Sequence, residues 1–230
     1  MAKKIKRHKH HDIKEDKFVT TALLFSEFVQ NHWKKVAFGA AALIVIIIVL
    51  VALTSRSGKV NIMALKQFDT ALALYEDNKM NEAETAFSAI LDEYGSSKYS
   101  GLSYLYLGKI NVEKDEPDVE SAEMYFNKAK SRLHESIFKE TAWLGLAECT
   151  RLSEGDDAYY ESLKHFIKKF PSSYKVSSIS FKIAEYYFSN DEYDQAKEYY
   201  SLIVKKFKNS SDFYKSKQQL EFIEQIQQDT

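Results

Sequence analysis

Between Val36 and Leu53 the chain reads VAFGAAALIVIIIVLVAL, eighteen residues without a charge, an amide or a proline. As a helix rising about 1.5 Å per residue, this run covers about 27 Å, close to the roughly 30 Å of a bilayer's hydrocarbon core. Twelve of the residues are Val, Ile, Leu or Phe. At about −0.3 to −0.6 kcal/mol each, they favour insertion by roughly 4 to 7 kcal/mol. A core helix apolar on every side needs a large protein packed around it, whereas the chain that follows is amphipathic. A cleaved secretory signal fits poorly, because 35 residues precede the run and no small-x-small site closes it. The expectation is an uncleaved transmembrane helix over residues 36–53.

Charge divides unevenly on either side of this run. Residues 1–35 hold nine Lys or Arg against four acids, a net of +5, leaving 23 of the 32 basic and 29 of the 33 acidic residues beyond. Only Arg56, Lys59 and Lys66 lie shortly after the run. Positive charge beside a span is retained on the cytoplasmic side. The expected topology is a cytoplasmic N-terminus with the C-terminal domain outside, on the periplasmic face of a bacterial inner membrane. Cys149 is the single cysteine, so the fold has no internal disulfide to lean on and must stand on its core.

In chain order, residues 1–11 (with KKIKRHKHH at 3–11) carry almost nothing apolar and read as a disordered basic tail. His8, His10 and His11 read as solvated charge rather than as metal ligands, and the cations suit anionic lipid headgroups. Residues 12–35 change pattern: Phe18, Ala22, Phe25, Val29 and Trp33 recur at spacings of three and four. That stripe describes an amphipathic helix lying on the membrane surface, or alternatively one binding a cytoplasmic partner. Residues 54–59, TSRSGK, read as a short polar linker. From 60 to 230 helical periodicity continues with only Pro117 and Pro171 to interrupt it, so the domain is expected to be all-α.

The helical part repeats. Glu93-Tyr94-Gly95-Ser96-Ser97-Lys98-Tyr99, Lys169-Phe170-Pro171-Ser172-Ser173-Tyr174 and Lys206-Phe207-Lys208-Asn209-Ser210 each end an apolar-periodic run with a charge, an aromatic and small polar residues. Phe170 and Phe207 are 37 residues apart, and Tyr94 precedes Phe170 by 76, about twice that. The clearest copy is 177–210, with Ile183, Ala184, Tyr187, Tyr193, Ala196, Tyr200 and Ile203 in phase. Leu107, Gly108, Ala122, Phe126 and Ala129 make a second, with two extra residues near Asp115 to Pro117. Trp143, Leu146 and Ala147 open a third, whose second helix has Tyr159 or Ser162 where a small residue is expected. Ala71, Ala83, Phe87 and Ile90 mark the first, with Thr70 at a usually apolar position.

Paired helices approach closely only where a side chain is small. Ala71, Gly108, Ala147 and Ala184 are therefore expected opposite Ala83, Ala122 and Ala196, with aromatics filling the space beside them. Gly108 and Gly145 each cost a helix about 1 kcal/mol relative to Ala, which points to close packing as their purpose. Asn81 with Glu84 reads as a capping box, and Pro117 suits a first helical turn. Residues 211–228, with Phe213, Leu220, Ile223 and Ile226 on one side, read as a polar closing cap.

This phasing resembles the tetratricopeptide repeat: an α-solenoid of about four helical hairpins plus a C-terminal capping helix. With the basic tail and the single apolar run, the architecture over 14–228 is similar to bacterial inner-membrane tetratricopeptide proteins related to the ancillary subunit of the SecYEG translocon. The resemblance implies a scaffold or chaperone-like adaptor near the translocon, contacting emerging chains or periplasmic chaperones. The alternative is a self-associating structural protein that organises the envelope. In the register of that repeat, the concave face carries Phe68, Leu72, Leu105, Lys109, Leu144, Glu148, Arg151, Phe181, Glu185 and Phe188. Phe181 and Phe188 need covering, whether by a bound partner, by the final helix or by a second subunit.

Reactive chemistry finds no foothold. Seven glycines are scattered without a phosphate loop, and His134 and His165 stand singly. Glu113, Asp115, Glu116, Asp118 and Glu120 lack the glycine and register of a calcium loop. The domain beyond the apolar run is net −6, which disfavours nucleic acid. The chain is expected to be no enzyme and to take no cofactor or metal.

Overall fold

The computed structural model describes residues 32–228, with backbone alone at residues 33, 36, 40 and 49–56. The expected basic tail and nearly all of the expected interfacial helix lie outside these residues. Nine helices and no strand are found among them: α1 Trp33–Glu76, α2 Met80–Tyr94, α3 Ser100–Glu113, α4 Val119–Arg132, α5 Ser136–Glu154, α6 Asp156–Lys169, α7 Val176–Ser189, α8 Tyr193–Lys206 and α9 Phe213–Gln228. The described chain is all-α. It forms two compact units that divide between Gly58 and Lys59.

In the first unit, residues 54–58 are helical and belong to α1. The linker expected at 54–59 is thus not a break, because Thr, Ser and a single Gly only weaken a helix by tenths to about 1 kcal/mol. Leu43 to Ile48 are each 50–61 % exposed. Successive helical residues turn by about 100°, so these six face every direction around the axis. Among the described residues no helix is long and apolar enough to cross a membrane. The unbroken stretch of described apolar side chains is confined to 41–48, within the longer run of the sequence.

The second unit stacks helical hairpins. Packing partners are α3 with α4, α5 with α6 and α7 with α8, joined by α2 on α3, α4 on α5, α6 on α7, α3 on α5 and α9 on α8. Two turns within hairpins are copies. Asn78 (φ 60°) and Asp191 (φ 61°) occupy the left-handed region. After them Lys79 N–H reaches Leu74 O and Glu192 N–H reaches Tyr187 O, both at 2.9 Å. Asn and Asp tolerate this conformation better than other L-residues, and the bond closes the helix end. The turns between hairpins also repeat. Ser97, Ser173 and Ser210 donate their N–H to the carbonyls of Tyr94, Phe170 and Phe207 at 2.8–3.0 Å, which are the aromatics of the recurring phrase.

The small residues lie where helices touch. Ala71, Ala83, Ala122, Ala184 and Ala196 are fully buried and Ala147 nearly so. Phe126 sits against both glycines: a Cβ on Gly108 would come within 2.8 Å of its ring, and one on Gly145 would collide with it. Caps differ from expectation. α2 begins at Met80 without a side-chain cap. Glu84 instead accepts from Lys114 at 3.0 Å and Asn111 at 3.3 Å across the α2–α3 contact. Pro117 precedes α4, whose cap is Asp118, accepting from Ser121 N–H at 3.0 Å.

Candidate partner-binding surface

The ten residues placed by register on one open face do not share it. Phe68 is buried among Phe87, Ile90 and Leu107, with its ring 5.5 Å from Phe87 and 5.6 Å from Tyr99. Leu105 is buried with Phe126, Leu133 and Ala142. Both are core: Phe68 of α1 lies inside the cluster that α1 shares with α2 and α3, and Leu105 lies on α3, which packs against α2, α4 and α5 and has few free directions. Phe181 meets Tyr200 edge-on at 5.7 Å, and Phe188 lies 5.6 Å from Tyr193 and 6.1 Å from Phe222 of α9. The last helix covers Phe188, so neither phenylalanine stands open.

Leu72 is half-buried on the first cluster. Lys109 lies over the rings of Tyr75 and Tyr106 at 5.3 and 5.1 Å. Tyr75 donates to Glu113 at 2.8 Å, and burial together with that carboxylate pushes its phenol pKa upward. Glu185 accepts from the buried Tyr200 hydroxyl. The three remaining residues, Leu144, Glu148 and Arg151, fall together on α5, with Arg151 donating to Glu148.

Around that α5 patch the sequence reading missed a group of tyrosines. Tyr159 and Tyr160 from α6 and Tyr186 and Tyr187 from α7 are all half-buried. The rings of Tyr160 and Tyr186 stack at 3.8 Å and 21°. Lys182 donates to Tyr159 at 3.2 Å and Lys164 to Tyr187 at 2.9 Å. Tyr186 donates to Asp157, which pushes its pKa up to about 12. Arg151 lies near enough to lower the pKa of Tyr160 slightly, although burial raises it overall. Leu144, Tyr159 and Tyr160 rest on a core of Ala147, Leu163 and Ile179. The usable signal was the Tyr159-Tyr160 and Tyr186-Tyr187 dipeptides, which repeat phasing reads one residue at a time.

These side chains are of the type that recognition surfaces use. Tyrosine presents rigid contact area plus a hydroxyl at a small entropic cost, and tyrosine and arginine dominate binding energy at interfaces. Among the described residues no three His, Cys, Asp or Glu are grouped to hold a metal. Cys149 is buried, and burial followed by Glu123 and Glu148 pushes its thiol up to about 11, far from a nucleophile's range.

Compared with known families, the chain matches the tetratricopeptide repeat-like domain over residues 27–223. The matched length begins ahead of the apolar run. No curated protein matches the chain.

Proposed function

Because the chain belongs to the tetratricopeptide repeat-like domain family, we propose that it is a non-catalytic scaffold, anchored in a membrane by its apolar run, that binds protein or peptide partners on the tyrosine and arginine surface of α5–α7. The observation that carries the binding role is the half-buried cluster of Tyr159, Tyr160 and Tyr186 beside Arg151. Repeat solenoids offer extended surfaces of this kind to peptides and helices.

The anchor is supported by Leu43 to Ile48, exposed on all sides of a helix. Six apolar side chains left in water oppose folding, whereas lipid covers them at no such cost. The excess of cations in residues 1–35 supports a cytoplasmic N-terminus and a repeat domain on the periplasmic face of a bacterial inner membrane. The resemblance to translocon-associated repeat proteins favours emerging chains or periplasmic chaperones as the partners.

Two experiments test this reading. Membranes washed in carbonate are expected to retain the full-length chain, and protease added to spheroplasts is expected to cut the repeat domain. A photo-crosslinker at Tyr160 is expected to trap a partner in intact cells, and Arg151→Glu is expected to abolish the adduct without changing helicity or melting. An adduct unaffected by Arg151→Glu removes the surface from consideration. A product joining two copies of this chain instead favours the self-associating alternative.

A further inference from the structure

Four serines hold the same place in the turns that follow the second helices. Ser97, Ser136, Ser173 and Ser210 each stand three residues after the apolar side chain that ends the run: Tyr94, Leu133, Phe170 and Phe207. Three of these turns carry a carboxylate of the chain itself. Glu140, buried on α5, accepts from Ser136 at 3.0 Å and from Ser173 at 2.7 Å. Asp212 accepts from Ser177 at 3.0 Å, next to Ser210 in the last turn. The α2–α3 turn is different. Glu140 lies 33 residues before Ser173, and the residue at the same distance before Ser97 is Ala64. Ser97 is 6 % exposed, and among the described residues its hydroxyl has no hydrogen-bond partner. Ser210 is unpartnered too, but its turn already holds Asp212.

A buried hydroxyl without a partner weakens a fold, so its persistence asks for a reason. Ser97 lines a cavity of about 700 Å³ between the α2–α3 and α4–α5 turns. The cavity beside Glu140 measures about 280 Å³. Donors surround the larger one, with Lys98, Arg132, His134 and Asn61 on its wall and Glu135 as the acid among them. Asn61 gives its carbonyl to Lys98 N–H at 2.9 Å, which leaves its amide hydrogens to donate. Arg132 spends one nitrogen on Gly95 O at 2.7 Å and Ser100 Oγ at 3.3 Å, leaving the rest of its fork. Among the described residues neither Lys98 nor Arg132 pairs with a carboxylate. The end of α4 suits Arg132 on its own account. The unpaired serine and the missing carboxylate have no such explanation.

We propose that this cavity binds a carboxylate brought by a ligand, in the role that Glu140 fills for the third hairpin. The ligand chemistry is read from the chain's own copy of the turn, where a carboxylate satisfies the serine. A carboxylate accepts several hydrogen bonds at once, which matches a hydroxyl, an amide and a guanidinium fork set around one space. α3 also begins without a side-chain cap or an acid in its first turn, so no anion of this chain meets its leading N–H groups. A cavity of this volume takes more than a bare ion. The carboxylate therefore comes from a small organic acid or from a Glu or Asp side chain of a protein segment. The site shares no residue with the tyrosine surface of α5–α7 and does not depend on it.

The test adds N-acetylglutamate amide, or a glutamate-rich peptide, to the isotope-labelled full-length chain in nonionic micelles and follows the amide signals of Ser97, Lys98 and Gly101. Saturating shifts with either probe support the proposal. A response to the amide means that a small acid suffices, and a response to the peptide alone means that a protein segment is the source. The matching glutamine compounds are expected to leave the signals in place. Lys98→Gln and Arg132→Gln are each expected to weaken binding about tenfold. Lys169→Gln, at the end of α6 as Arg132 is at the end of α4, is expected to leave binding unchanged. Ser97→Ala separates binding from packing. It is expected to weaken binding yet raise the melting temperature, by removing an unpaired buried group, whereas Ser173→Ala lowers it by taking a donor from Glu140. Three results overturn the proposal: no saturating shift with either probe, equal shifts from the glutamine compounds, or a Ser97→Ala chain that melts lower as Ser173→Ala does. Each of them leaves the tyrosine surface untouched.

Discussion

Phe126 shows how a single side chain can set the spacing of three helices. Its ring lies 1 % exposed between Gly108 of α3 and Gly145 of α5. Gly145→Ala gains about 1 kcal/mol of helix propensity but forces a methyl group into that ring. Overpacking costs about 1–3 kcal/mol, so net destabilisation is expected in thermal melting. Pairing it with Phe126→Leu, which removes ring atoms at the collision, is expected to recover part of the loss. A Gly145→Ala chain that melts higher than the parent refutes the packing argument. Tyr200 offers a test by pH. Burial and its bond to Glu185 raise its pKa above the ordinary 10.0. A raised pKa means that folding favours the protonated phenol. Its contribution is whole below about pH 10 and is lost as pH climbs toward the folded value. Tyr200→Phe is expected to shallow the fall in melting temperature above pH 10, by removing one group that must stay protonated.

At the scale of elements, α9 decides what the last hairpin exposes. Ile223 of α9 is fully buried with Ala184, Ala196 and Tyr200, and Leu220, Phe181 and Phe188 pack against that cluster. Phe188→Glu is expected to lower stability by about 1–3 kcal/mol, because its carboxylate would be set between Tyr193 and Phe222. Loss of stability, read by chemical denaturation, distinguishes this cap from an open binding face. The sequence carried the repeats well. Ala71, Ala83, Ala122 and Ala196 can be recognised because close helix crossings leave little choice of residue. It carried the caps poorly: Asn81 and Pro117 are weak local preferences, and interhelical contacts such as Glu84 with Lys114 outweigh them. The binding face was half legible. Register alone placed Phe68 and Leu105 on a surface, but Phe68 is enclosed by residues of α2 and α3, and Leu105 sits on a helix packed on several sides, which has no such face. The tyrosine cluster needs residues from α6 and α7 together, a juxtaposition that no single repeat displays.

Across the repeat domain the core is divided among four clusters, centred on α1–α3, α3–α5, α5–α7 and α7–α9. Stability in such a stack approximates a sum of repeat terms and neighbour contacts, so damage should spread according to position. The end and the middle are therefore expected to respond differently. Ile223→Ala removes a fully buried side chain from the last cluster, at a cost of about 2–5 kcal/mol. Hydrogen exchange is expected to quicken through residues 193–228 while α3 and α4 keep their protection. Phe126→Ala removes the ring that α3, α4 and α5 share, at about 3–5 kcal/mol. Having neighbours on both sides, it is expected to quicken exchange from α2 through α6. Should Ile223→Ala accelerate exchange uniformly from Lys59 to Gln228, the four clusters act as one cooperative block. In that case the partner surface proposed on α5–α7 could not persist while the far end of the solenoid opens.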